Sequence, residues 1–168
     1  SRLAVKRESA LALQEQEVYR GRTWLDRFTA QGQPGDAARH GFGKELNGSI
    51  QRRIELLREM GIDPMDPARG KALDQIEKRD LVSGIASRTG ASLKELPAGG
   101  TMSGVMSDAG TLPSGRRYAQ IFDAKSKEFT LVPWRPEFER HAGKSVELLK
   151  ERQTGRLVMR QLERGLGR

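Results

Sequence analysis

The sequence predicts an α+β protein in which helices come first and short strands follow. Two observations carry this prediction. Between residues 36 and 90, apolar side chains recur every three or four positions, as on one face of an amphipathic helix. After Gly90 the apolar runs become short and glycines separate them, as is typical of strands joined by turns. The chain is therefore expected to be helical before residue 90 and β-structured after it.

Residues 1–35 are predicted to be a helical extension or linker. Within them, residues 1–30 have helical character in two pieces, with a capped start expected at Thr23. The sequence QGQPGD at 31–36 favours a turn because it combines glycine with proline. Asp36 can cap the helix that follows, so the first break in the chain is expected here.

Residues 36–90 are predicted to form a helical subdomain of two helices. The first helix is expected to end at a left-handed glycine cap, Gly61. The second is expected to begin at Pro67 or Lys71 and to stop at Gly90. One face of the first helix carries the apolar residues Phe42, Leu46, Ile50, Ile54 and Leu57.

Residues 91–168 are predicted to form a small β-barrel with a basic C-terminal tail. The sequence DAKSKE at 123–128 indicates a hairpin turn, and residues 134–143 indicate one or two helical turns closed by Gly143. Five short strands with one small helix before the fourth are typical of a barrel of the oligonucleotide-binding (OB) or SH3-like kind. The strands are placed at 101–107, 116–124, 127–133, 144–150 and 155–162.

The composition narrows the possible functions. The chain has 168 residues, no cysteine and a formal net charge of +8, which favours a polyanionic partner because Lys and Arg displace the counterions condensed on phosphates. No apolar run approaches the length of about 20 residues needed to cross a bilayer, so no membrane insertion is expected. His40 and His141 have no partner at metal-binding spacing, and motifs for nucleotide hydrolysis or acyl transfer are missing. We therefore expect no metal, no cofactor and no catalytic residue.

Aromatic and basic residues cluster in one window of the predicted barrel. Such a mixture is typical of surfaces on which single-stranded nucleic acid stacks. Tyr118 is expected to be the exposed stacking residue because it follows two arginines near a strand start, whereas core packing is the simpler explanation for Phe122, Phe129 and Trp134. The cations expected to contact nucleic acid here are Arg116, Arg117, Lys125, Lys127 and Arg135.

Arginines recur every four residues in the C-terminal stretch. On a strand they would share one face, and on a helix they would form a slowly drifting stripe. Either arrangement makes a cationic ridge that suits phosphate groups or an acidic protein, and a merely solubilising surface is the alternative. The arginines assigned to the candidate site are Arg152, Arg156, Arg160 and Arg164.

The sequence EFTLVPWRPEFERHAG at 128–143 resembles the C-terminal region of conjugative and mobilisation relaxases. These are the DNA-transfer nucleases of plasmids and integrative elements that work with type IV secretion. The specificity of the resemblance is concentrated in FTLVPWRP. The sequences TWLDR at 23–27 and HGFG at 40–43 follow the family's order, so the resemblance covers about residues 23–167.

The resemblance implies a parent protein that cuts one DNA strand with a tyrosine near its N-terminus, beside a histidine cluster that holds a divalent metal. This chain has only Tyr19 and Tyr118 and no histidine pair. We therefore expect it to be a distal, non-catalytic part of such a protein and not an enzyme itself. A location in the bacterial cytoplasm, with transfer into the recipient cell together with the parent relaxase, is also implied.

Two functions from different classes follow. In the first, the chain is a module that binds DNA, either a single strand or the origin of transfer, through phosphate contacts that position without reading sequence. In the second, it is a protein-interaction or export module recognised by the coupling protein of the type IV secretion channel. Basic residues gathered on one face would favour DNA, and an exposed apolar helix face would favour a protein partner.

Overall fold

The computed structural model describes residues 11–30 and 43–162, and within these ranges the protein has a mixed α+β fold. The α-helices of these ranges precede the main sheet, so the predicted class and the order of helices before strands are confirmed. The helices are α1 (Leu13–Val18), α2 (Asp26–Thr29), α3 (Gly43–Glu59), α4 (Arg69–Thr89) and a 3-10 helix (Pro136–His141).

The two long helices follow the predicted pattern. Helix α3 is followed by Gly61 with φ at 78°, and helix α4 by Gly90 with φ at 71°, the left-handed conformation that glycine adopts without steric cost. Phe42 and the predicted turn at 31–36 lie outside the described residues. The apolar residues of the predicted face that are buried on α3 are Leu46, Ile50, Ile54 and Leu57.

The strands form a single sheet in the order β1-β4-β3-β2-β5-β6. Among the strand pairings of the described residues, only that of β1 with β4 is parallel, and the other four are antiparallel. The strands are β1 (Ser92–Leu93), β2 (Thr101–Thr111), β3 (Arg117–Asp123), β4 (Glu128–Pro133), β5 (Ser145–Lys150) and β6 (Leu157–Gln161).

The predicted five-stranded closed barrel is wrong on two points within residues 43–162. A sixth strand, β1, pairs with β4, and the Ser92 N–H donates to the carbonyl oxygen of Lys127 at 3.0 Å. The strand order also leaves β1 and β6 as the two edges, so the sheet is open. A strand of two residues carries no alternation to recognise, and closure depends on strand tilt and stagger, which local patterns do not reveal.

Strand β2 has 11 residues and pairs with its two neighbours along different parts of its length. Residues 101–105 pair with β5, and residues from 105 onward pair with β3. At Gly104 an ideal Cβ would lie 2.4 Å from the carbonyl oxygen of Phe122, so the backbones approach more closely than any side chain allows. The apolar core of the sheet consists of Leu96, Met102, Met106, Ala119, Ile121, Val132, Phe138, Val146 and Leu148.

The chain divides into two compact units. The helical unit contains the described residues up to Leu81 together with Pro113–Gly115, and the sheet unit contains Val82–Leu112 and the described residues from Arg116 onward. The domain boundaries predicted from the sequence, at 35/36 and 90/91, stay predictions.

The helical unit is organised around a buried arginine. The side chain of Arg53 on α3 is fully buried and forms an ion pair with Asp26, with Nε 2.8 Å from Oδ1. Its terminal nitrogens donate to the carbonyl oxygens of Gln16, Tyr19 and Gly21 at 3.0, 2.5 and 2.7 Å. A buried charge is tolerated only when it is paired and hydrogen-bonded. Arg53 therefore fixes the path of the chain between α1 and α2.

The segment after α1 also bonds to carboxylates of α4. The Tyr19 hydroxyl donates to the buried carboxylate of Glu77 at 2.5 Å, and Ser114 donates to the other oxygen of that carboxylate at 2.7 Å. Burial of Tyr19, together with the hydrogen bond to Glu77, raises the pKa of Tyr19 above its ordinary value. The ion pairs on either side are Arg20–Asp80 and Arg22–Asp74.

Candidate nucleic-acid interface

Tyr118, the expected stacking residue, is buried. It lies on β3 with 2% of its surface exposed, and its hydroxyl accepts a hydrogen bond from Nε of Arg116 at 3.2 Å. Tyr118 and Ala119 point to opposite faces of the strand, yet both are buried, so β3 is covered on both sides at this point. The expectation that Tyr118 faces solvent is therefore wrong, because it assumed a strand with one open face.

Arg117 is engaged inside the sheet unit. Its guanidinium lies 4.0 Å from the centroid of the half-buried Trp134 ring and forms an ion pair with Asp108 on β2. The hydrogen bond from Arg117 holds the pKa of Asp108 below its ordinary value. A second carboxylate, that of Glu139, lies 3.9 Å away. The ring face that a base would need for stacking is thus occupied by a cation of the protein.

The other three aromatic residues of the predicted window differ in how far they are buried. Phe129 is fully buried, which agrees with the core explanation. Phe122 and Trp134 are half-buried, and Trp134 packs against the apolar core of the sheet. None of the three presents an open ring surface comparable to the stacking platform that the sequence suggested.

Two further predicted cations also have partners within the sheet unit. Arg135 donates to the carbonyl oxygen of Leu157 at 2.5 Å and lies 5.2 Å from the ring centroid of Phe138. Arg160 on β6 pairs with Glu147, which faces it directly on β5, at 2.9 Å. Both arginines therefore have partners within the sheet unit, although the side chain of Arg160 is 71% exposed.

Four further cations of the predicted site lie in two turns. Lys125 and Lys127 belong to the β3–β4 turn, Arg152 and Arg156 belong to the β5–β6 turn, and all four are exposed. Strands β3 and β5 both run antiparallel to β2, so the C-terminal ends of both strands lie at the end of the sheet where β2 begins. We call these four residues the basic turn end. They are the part of the predicted site that the topology brings to one end of the sheet.

Local hydrogen bonds shape both turns. In the first, Oδ1 of Asp123 accepts from the N–H of Lys125 at 3.0 Å, an arrangement typical of aspartate in turns. In the second, the N–H of Glu151 donates to the carbonyl oxygen of Arg156 at 2.8 Å, and Gly155 supplies the left-handed residue with φ at 70°. These bonds use the backbone and the side chain of Asp123. The guanidinium of Arg152 lies against Gly99, with Nε 3.1 Å from where a Cβ on that glycine would be.

The expected arginine ridge does not form on one strand. Arg152 and Arg156 lie in the turn and only Arg160 lies on β6, so the four-residue spacing spans two kinds of structure. Arg164 lies outside the described residues. Sequence reasoning missed Lys150, the last residue of β5, whose Cε lies 4.0 Å from where a Cβ on Gly155 would be. It belongs to the same end of the sheet, and its position directly before the turn was the available signal.

The charge of the chain is concentrated in the sheet unit. Among its described residues this unit contains 13 Lys and Arg against 8 Asp and Glu, a net charge of +5, whereas the described part of the helical unit contains 11 against 11. Three carboxylates flank the basic turn end, those of Asp123, Glu128 and Glu151. The end is therefore a mixed surface with a cationic excess, which suits a polyanion held by several separate contacts.

The buried histidine of the sheet unit gives no metal site. His141 ends the 3-10 helix, its Nε2 lies 3.4 Å from Nε of Arg140, and its Nδ1 has no hydrogen-bond partner in the described part of the chain. No group of three or more His, Cys, Asp or Glu within residues 11–30 and 43–162 could hold a metal ion. In those same ranges, no helix has the length and apolar character needed to cross a membrane.

Fold and site together define an α+β protein whose candidate site is a cationic end of an open sheet. The chain belongs to a family described as a protein of unknown function (DUF3363), whose family model matches residues 1–167. No curated protein and no solved structure matches the chain.

Proposed function

We propose that this chain is the non-catalytic C-terminal module of a conjugative relaxase and that it binds DNA during transfer. The observation that carries the DNA-binding part is the basic turn end, where Lys125, Lys127, Arg152 and Arg156 are exposed at one end of the most basic unit. The relaxase part rests on the resemblance of FTLVPWRP and its neighbours.

The binding would be led by phosphate contacts. The exposed side chains are long cations on two turns, and such groups attract a strand backbone without distinguishing bases. Because Tyr118 is buried and Trp134 is covered by Arg117, base stacking has little part in the proposal. We therefore expect affinity that falls steeply with salt and depends weakly on DNA sequence.

The exposed apolar residues support DNA over a protein partner as the first choice. Among the described residues of the helical unit, the large apolar side chains that are exposed are Val18 and Met65, one at the C-terminal end of α1 and one in the turn before α4. Two separate residues do not make the apolar helix face that recognition by a secretion coupling protein would favour.

The first experiment measures fluorescence anisotropy of labelled single- and double-stranded oligonucleotides at several salt concentrations. One variant replaces Lys125, Lys127, Arg152 and Arg156 with Gln. A matched control replaces Lys44, Arg58, Lys71 and Arg79, which are exposed on the helices, with Gln. Each phosphate contact contributes a slope of about −0.7 for single strands in log K against log salt, so loss of four contacts should flatten the slope by about three.

Equal effects of the two variants would reject the basic turn end as the interface. Absence of DNA binding by the unaltered chain at physiological salt would reject the DNA proposal and direct the search to the coupling protein. In mating experiments with the parent protein, the turn variant should lower the frequency of plasmid transfer and the control should leave it unchanged.

A further inference from the structure

Among the described strands, β6 (Leu157–Gln161) pairs with β5 alone and forms an edge of the sheet. Directly after β6, the N–H of Leu162 donates to the carbonyl oxygen of Ser145 at 2.9 Å. In an antiparallel pair, the backbone groups of successive residues point alternately toward the neighbouring strand and away from it. The residues of β6 whose N–H and C=O groups point away from β5 are therefore Leu157, Met159 and Gln161.

Most of these outward backbone groups have no protein partner within residues 11–30 and 43–162. The exception is the carbonyl oxygen of Leu157, which accepts a hydrogen bond from a terminal nitrogen of Arg135 at 2.5 Å. A carbonyl oxygen has two lone pairs, so that of Leu157 can accept a second hydrogen bond. The groups of Met159 and Gln161 are open to a further strand.

The side chains of β6 that face the core are covered only in part. Leu157 and Met159 are half-buried and pack against the apolar core of the sheet. Met159 lies opposite the fully buried Leu148 of β5, which places it on the core face. A strand added beside β6 would bring side chains next to these two residues and remove more apolar surface from water. The edge therefore offers apolar contact as well as backbone hydrogen bonds.

A second copy of β6 matches this edge best in one register. Antiparallel pairing about a two-fold axis at Met159 places all five residues opposite residues of the copy, and about six backbone hydrogen bonds can form. Val158 then lies opposite Arg160 of the copy, so like charges do not face each other. An axis at Arg160 would place two arginines directly opposite, and an axis at Val158 would place Arg160 opposite Arg156. Like charges in directly opposite positions destabilise a strand pair.

We propose that β6 is a docking strand for a second copy of this chain, with the two-fold axis at Met159. The two copies present identical groups, and each outward N–H meets an outward carbonyl oxygen. The charge of Arg160 does not oppose the pairing, because it is already balanced by Glu147 on β5. The proposal does not depend on DNA binding, and its tests are made without DNA.

The first test is sedimentation velocity of the full chain over a wide range of concentration. Gln161→Pro removes one outward N–H, and an edge strand tolerates proline where the N–H does not face its neighbour. Gln161→Ala is the matched control because it keeps the N–H. We expect the unaltered chain and the alanine variant to dimerise alike. The proline variant should dimerise at least about tenfold more weakly, since two symmetry-related hydrogen bonds are lost.

Cross-linking tests the register, because the chain has no cysteine and each variant introduces a single thiol. Met159→Cys faces its own copy across the axis, where Cα atoms of a hydrogen-bonded pair lie about 5.5 Å apart, within reach of a disulfide. Val158→Cys lies diagonal to its own copy at about 7–8 Å, beyond that reach. Under mild oxidation we expect covalent dimers from Met159→Cys and few from Val158→Cys, on a non-reducing gel.

Three outcomes would overturn the proposal. A chain that stays monomeric at every concentration would leave the edge to a strand of another protein. Equal dimerisation of Gln161→Pro and Gln161→Ala would place the dimer contact elsewhere. Equal cross-linking of Met159→Cys and Val158→Cys would reject the register, and circular dichroism of each variant verifies that it has folded.

Discussion

Among their described residues the helical unit contains 11 Lys and Arg and the sheet unit contains 13, but the two units place them differently. In the helical unit, two neighbouring arginines bond to buried groups: Arg53 is itself fully buried, and Arg52 bonds to the buried carboxylate of Glu17. In the sheet unit the core is apolar, and many cations lie on turns and strand surfaces. Similar numbers of cations can thus be bonded within the fold in one region and exposed at the surface in another.

The largest expected effect concerns the buried ion pair of the helical unit, that of Arg53 with Asp26. Replacing Arg53 with Met leaves the Asp26 carboxylate and three carbonyl oxygens buried without their donor. We expect the free energy of unfolding to fall by about 3–5 kcal/mol, as measured by urea denaturation. Arg58→Met, at an exposed position of the same helix, should change it by less than about 0.5 kcal/mol. Similar small losses in both variants would break the comparison between the units.

The second prediction concerns the sheet unit, where stability depends on close packing. Gly104→Ala places a methyl group against the backbone of Phe122, and this backbone cannot move without disturbing β3. We expect a loss of about 1–3 kcal/mol, measured by the same denaturation. Gly84→Ala on α4, where a Cβ would meet no atom within 4 Å, should instead stabilise by about 0.5–1 kcal/mol. Stabilisation in both variants would show that β2 has room at Gly104.

The smallest expected effect concerns the ion pair between Arg117 and Asp108, which is more exposed than the buried pair between Arg53 and Asp26. The pKa of Asp108 is lowered by its hydrogen bond from Arg117. The pair therefore stabilises the fold above the ordinary aspartate pKa of 3.8, and this contribution is lost as pH falls through the lowered value. Both side chains are 35% exposed, so solvent screening keeps this contribution to the free energy of unfolding small.

Thermal unfolding of the unaltered chain and of Asp108→Asn checks this prediction. The difference in melting temperature between them should be largest near neutral pH and should close as the pH falls below the ordinary aspartate pKa of 3.8. A difference that widens as the pH falls would contradict the sign of the pKa change. If urea denaturation showed that Asp108→Asn lowers the free energy of unfolding as much as Arg53→Met does, exposure would not distinguish the two ion pairs.

Helix periodicity and glycine positions were enough to predict α3, α4 and the approximate bounds of β2 to β6. These patterns did not predict which side chains pair across the sheet. The ion pair between Arg117 and Asp108, for example, depends on the register between β2 and β3. The buried role of Arg53 was also hidden. Arg52 and Arg53 are neighbours of the same type, and only a rotation of about 100° along the helix separates an exposed side chain from a fully buried one.

Only the part of the candidate site that depends on local structure could be predicted from the sequence. Lys125 and Lys127 lie in a turn that the sequence marked as a hairpin, so their exposure followed from local structure. The burial of Tyr118 did not follow from local structure, because the pattern of a single strand does not show that both of its faces are covered. Local patterns reveal which residues can be exposed, whereas tertiary packing decides which ones are.

The open sheet has two edges with unequal capacity to accept a further strand. β1 has only two residues, so an incoming strand could form few backbone hydrogen bonds there. β6 has five residues, and Val158 on it is exposed. An endless stack of copies needs two usable edges, whereas one usable edge permits only a closed pair. We therefore expect edge-to-edge association of this chain to stop at a dimer and not to extend into fibres.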